Sequence, residues 1–72
     1  SIYDNFLEKI VKRTAMSKKL RPVQKSRIME AAMYYHSMMN RGYRYIYYLE
    51  AFILYYIKIK REKNIISLIR EE

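Results

Sequence analysis

YRYIYYLEAFILYYIKI, residues 43–59, sets the architecture of the chain. Between Tyr45 and Ile57 it holds a single charge, Glu50. A helix that is apolar nearly all the way round has to be covered on every side by other protein, so the stretch reads as a central core helix. At 17 residues, with Arg44, Glu50 and Lys58 in it, the segment is too short and too charged for a membrane span. A strand reading has Tyr, Ile and Phe in its favour, and residues 55–60 partly alternate. It fails on turns, because no Gly or Pro occurs after Gly42 to supply hairpin chemistry.

Immediately upstream, Asn40, Arg41 and Gly42 form a stop signal, with the only Gly of the chain expected in the left-handed conformation that closes a helix. A tight antiparallel return is implied. Before it, Ile28, Ala31, Ala32, Tyr35, Met38 and Met39 follow the helical period, and Pro22 suits a first turn, where its missing N–H has no partner to lose. Met29 and Met33 lie four apart on a neighbouring stripe and are expected to fill gaps in the core. The opening segment, Ser1 to about Arg13, places Phe6, Leu7, Ile10 and Tyr3 on one side, with Ser1 and Asp4 at capping-box spacing. Thr14 to Arg21 has no period and reads as a loop. Downstream, Tyr45, Phe52, Ile59 and Ile66 recur every seven residues, and Leu49, Tyr56 and Lys63 follow the first three by four, so the last helix is expected to reach about Arg70. The expected fold is all-α: a small three-helix bundle with a long C-terminal helix, residues 1–72 forming a single helical domain.

A chain of 72 residues buries only about 60% of the surface its unfolded form exposes, and its core supplies roughly 3 to 5 kcal/mol. With no Cys and one His, disulfides are excluded and a zinc site lacks ligands, so no cofactor or metal is expected. A partner surface is the remaining source of stability. Hydrophobic residues make up 51% of the chain, more than two short helices can cover, so part of the third helix should face a protein partner or a second copy. The side chains assigned to that contact are Tyr47, Tyr48, Leu54, Tyr55 and Ile59; Tyr suits a boundary with one dry and one wet side.

The formal net charge is +8, and it is concentrated. From Lys9 to Met29 there are eight basic residues and no acidic one. Such a field favours polyanions, whether nucleic acid, an anionic membrane or an acidic protein tail. The residues expected to contact one are Lys12, Arg13, Lys18, Lys19, Arg21, Lys25 and Arg27. The competing reading is a solvated basic face that keeps a sticky domain soluble. No basic start leads into an apolar run with a small-residue cleavage site, and a chain opening on Ser1 reads as processed or trimmed. An intracellular location, cytoplasmic or nucleoid-associated, is expected. No segment pairs a basic face with a cleanly separated apolar one, which disfavours a membrane-surface helix.

Little in the chain points to catalysis. His36 is the residue suited to acid–base work near neutral pH, but its sequence neighbours Tyr34, Tyr35 and Ser37 do not face it on a helix, so it reads as a surface or boundary His. The seven carboxylates have no metal-ligand spacing, and there is no Gly-rich phosphate loop. Neither an enzyme nor a small-molecule substrate is expected. Glu50 either finds a partner inside the apolar stretch or marks its one exposed line. The nine Tyr could stack on bases, but six of them lie in residues 43–59, away from the basic run, which favours core or interface. As a DNA reader, the second helix would present Gln24, Lys25 and Arg27 from its first turns.

The segment ILYYIKIKREKNIISLI resembles the long helix in the helical domain of GINS subunits, and SIYDNFLEKI is similar to that family's aromatic-acidic opening helix. In the family's later R-E-x-K-I segment this chain has Arg61, Glu62, Lys63, Asn64 and Ile65, so Asn64 stands where the family places Lys. The basic run departs from the family, and its small β-domain is absent from these residues. The resemblance implies a scaffold role in DNA replication, with the long helix at a subunit interface. The expected function is a non-enzymatic accessory subunit or protein-interaction domain of a nucleic-acid-handling complex. The alternative is a small basic regulator that contacts DNA or RNA directly.

Overall fold

The computed structural model describes residues 2–42 and 44–70, with 63–70 described by backbone alone. Among these described residues three helices run up, down and up: α1 (Ile2–Met16), α2 (Pro22–Arg41) and α3 (Tyr45–Arg70). No strand occurs among the described residues. α2 packs most extensively on α3, and α1 leans mainly on α2.

α1 continues a turn beyond the end expected near Arg13. Its buried side is Leu7, Ile10, Val11 and Thr14, the last completely enclosed. The Thr14 hydroxyl donates to the Ile10 carbonyl at 2.8 Å, so a polar side chain sits in the core with its donor satisfied inside its own helix. That hydroxyl is why the apolar period breaks off in the sequence. Phe6, expected beside Leu7, is exposed instead; Leu7 and Thr14 are turned toward α2, and Phe6 falls to the edge of that face. Ser1, and with it the expected capping box, lies outside the described residues.

The connection to α2 is held by Ser17, whose hydroxyl oxygen accepts from the backbone N–H groups of Lys19 and Leu20 at 3.2 and 3.3 Å. This turn carries Leu20 into the core. Arg21 is extended (φ −75°, ψ 156°), as a residue before proline prefers, and Pro22 opens the helix. The expected core set of α2 is in place: Ile28, Ala32 and Met39 are buried, and Ala31, Tyr35 and Met38 partly so. Met33 is not in the core; it lies on the outer side of α2.

Gly42 follows α2 with φ −150° and ψ −165°, an extended conformation open to any residue. The expected left-handed closure is absent, and no described residue has positive φ. The helix ends because the chain leaves it extended and re-enters at Tyr45.

In α3, Phe52 is fully enclosed and Ile59 nearly so, with Tyr55 and Tyr56 packed around them. The Phe52 ring lies 6.3 Å from Tyr35 and 6.4 Å from Tyr56, centroid to centroid. The seven-residue seam is therefore consumed inside the chain; its continuation through Lys63 and Ile66 lies outside the described side chains. α1 and α2 do not cover α3 on every side, so the chain by itself leaves uncovered the part of α3 expected to face a partner. Ile46, Tyr47, Leu54 and Ile57 are exposed, because α2 covers one face and α1 scarcely reaches α3. Glu50 belongs to this outer line, which settles its reading in favour of exposure.

Candidate interaction surfaces

Antiparallel packing of α1 on α2 brings the end of α1, the 17–21 connection and the start of α2 to one end of the bundle. α3 reaches the same end at Ile59, whose carbonyl oxygen accepts from Gln24 Nε2 at 3.1 Å. Lys58, Lys60 and Arg61 are exposed on either side of that point. They join Lys18, Lys19 and Arg21 at one pole although they lie outside the basic run. Spacing along the chain could not reveal this; only the antiparallel packing of α2 on α3 does.

Several members of the expected polyanion set already have partners. Lys12 Nζ is 3.2 Å from Glu8, one turn earlier on α1. Arg27 is 3.6 Å from Glu62 on α3, so part of its charge is offset. Lys25 Nζ donates to the Ala15 carbonyl at 3.1 Å, placing a cation on the last turn of α1, where the helix dipole favours one. Lys18 and Lys19 are exposed, Arg21 partly so, and Arg13 is exposed on α1.

The helix-two DNA reader is overturned at its first residue. Gln24 is 4% exposed, with its amide engaged at both ends. Together with the contacts of Lys25 and Arg27, this leaves no first-turn trio presented for a groove. The Tyr side chains divide: Tyr34 and Tyr47 are 59% and 61% exposed, while others are engaged within the chain. Tyr3 stacks on Tyr45 at 5.9 Å at the pole away from the connection, and Tyr56 is half-buried beneath Lys60, 5.2 Å from ring centroid to Nζ.

The five side chains expected to face a partner separate into two groups. Tyr47 and Leu54 are each 61% exposed. Tyr48 and Tyr55 are half-buried, and Ile59 is 2% exposed, a core residue. Ile59 leaves the set because it is one helical repeat from Phe52 and shares its inward direction. Ile46 and Ile57 take its place on the exposed side.

His36 has a neighbour that the local sequence could not supply. Its Nε2 is 3.3 Å from Asp4 Oδ1, across the α1–α2 interface, with both side chains nearly half exposed. They border a shallow recess with Leu7, Glu8, Val11, Ala32 and Met33. That lining contains no hydroxyl or thiol nucleophile. Among the described residues, no group of three or more His, Asp or Glu is placed to hold a metal ion, and no helix is long and apolar enough to cross a membrane. Comparison of the chain with protein-family models, with curated proteins and with solved structures finds no match in any of the three.

Proposed function

We propose that this chain is a non-enzymatic accessory subunit or protein-interaction domain of a nucleic-acid-handling complex, with DNA replication as the setting that the GINS resemblance implies. The carrying observation is that one small bundle holds two chemically different surfaces: a basic pole around Lys18, Lys19 and Lys60, and an apolar outer side on α3 with Leu54 and Tyr47. In this reading the long C-terminal helix is the docking element, the basic pole lies against a polyanion, and the protein works in the cytoplasm or at the nucleoid.

A second reading, direct nucleic-acid binding by a small basic regulator, draws support from the convergence of basic residues from the connection and from α3 at one end. Affinity purification from native extract, with and without nuclease, separates the two. Retention of identified nucleic-acid-handling proteins after nuclease supports the accessory subunit. Loss of all of them, together with micromolar binding to duplex DNA that falls steeply with salt, moves direct binding to first place. Neither association nor duplex binding at low salt overturns both.

A further inference from the structure

The side of α3 directly opposite Phe52 and Ile59 carries Tyr47, Glu50, Leu54, Ile57 and Arg61. At 3.6 residues per turn they fall within about 80° of arc. Tyr47 and Leu54 are 61% exposed and Ile57 41%, and both charged residues are exposed. Their spacing alternates three and four, the a and d positions of a heptad. Leu54, Ile57, Lys58 and Arg61 border a shallow depression, the kind of hole a facing side chain can enter. Charge is graded along the line: Glu50 stands in the N-terminal half and Arg61 in the C-terminal half, with Lys58 beside it, while Glu62, which also borders the depression, is paired with Arg27 of α2 at 3.6 Å.

We propose that this stripe is the contact between two copies of the chain, packed antiparallel about a two-fold axis that crosses α3 between Tyr55 and Tyr56. Leu54 of each copy meets Ile57 of the other, and Glu50 of each meets Arg61 of the other. The charge gradient selects the direction. A parallel pair sets Glu50 against Glu50 and Arg61 against Arg61, whereas the antiparallel pair sets unlike charges together at both ends of an aliphatic centre. A shift of register in the antiparallel pair brings Glu50 against Lys58, still an unlike charge. An isologous contact of this kind closes at two copies and leaves no free stripe to propagate. It is short, about 21 Å from Tyr47 to Arg61 at 1.5 Å per residue, and each chain closes its own core without it, so the dimer is weak and reversible. The inference rests on the reading of α3 as a partner-facing helix and names the partner.

Sedimentation equilibrium of the full chain from low to high micromolar concentration at low salt tests it. A monomer–dimer equilibrium is expected, weakened at least about tenfold by Leu54→Lys. Glu50→Arg and Arg61→Glu should each weaken it about tenfold, and the two changes combined should restore it to within about threefold, because the swap recreates both pairs. All these positions are exposed, and circular dichroism of each variant checks that the helices persist. A monomer throughout the range overturns the dimer. Single charge changes without effect overturn the antiparallel direction, since a parallel pair gains nothing and loses nothing from them. A monomer that still retains nucleic-acid-handling proteins after nuclease overturns this inference and leaves the proposed function standing; a dimer that retains none does the reverse.

Discussion

Gln24 and Ile59, 35 residues apart in sequence, are joined by a buried hydrogen bond in which the Gln24 amide donates to the Ile59 carbonyl at 3.1 Å. The same amide accepts from the Arg21 N–H at 3.0 Å, so one side chain caps the start of α2 and fastens it to α3. A carbonyl oxygen has two lone pairs, and Ile59 can accept this bond without leaving its helix.

Gln24→Met keeps the length of the side chain and removes both bonds, leaving the Arg21 N–H without its partner. The expected loss is about 1 to 3 kcal/mol, a large share of the stability of so small a domain. Urea denaturation followed by circular dichroism measures it. A midpoint equal to the parent's would show that the amide holds nothing together.

Phe52→Ala removes a fully enclosed ring packed between Tyr35 and Tyr56. The cost is about 3 to 5 kcal/mol, enough to leave the chain largely unfolded at room temperature. A thermal melt within a degree or two of the parent would contradict its place at the centre of the core.

Gly42→Ala is expected to stabilise. No atom lies within 4 Å of the position an added Cβ would take, and the backbone there is extended. The gain, from a less flexible unfolded chain, is about 0.4 to 1 kcal/mol, or a rise of about 2 to 8 °C in Tm. A fall in Tm would mean that Gly42 adopts the left-handed conformation after all.

Replacing Lys18, Lys19 and Arg21 together by Ala should leave helical circular dichroism nearly unchanged, because none of these side chains holds the core. Affinity for a labelled duplex should drop, and the slope of log affinity against log salt should flatten by up to about 0.9 for each phosphate no longer neutralised. Lys58→Ala with Lys60→Ala should flatten it further if the pole acts as one surface. Equal slopes for parent and variants would return these residues to the role of a solvated face.

Much of this fold was legible in the chain because helices announce themselves locally. Pro22 opens one, the interruption at residues 40–42 ends it, and the seven-residue return of Phe52 and Ile59 marks the seam that α2 covers. Periodicity reports that a stripe is apolar, not which of two apolar stripes faces inward. Phe6 and Leu7 are adjacent and equally hydrophobic, yet only Leu7 is buried; Met33 and Met39 are chemically identical, yet only Met39 is.

Local signals were therefore enough for the number, order and approximate limits of the helices, and composition for the strongly positive charge, since helical hydrogen bonding reaches only four residues along the chain. Packing between helices was needed to turn Glu50 outward with Leu54, to enclose Thr14 and Gln24, and to bring Lys58, Lys60 and Arg61 to the same pole as the basic connection. Each of those outcomes depends on how far one helix is rotated against another, and that rotation is set by side chains distant from one another in the chain.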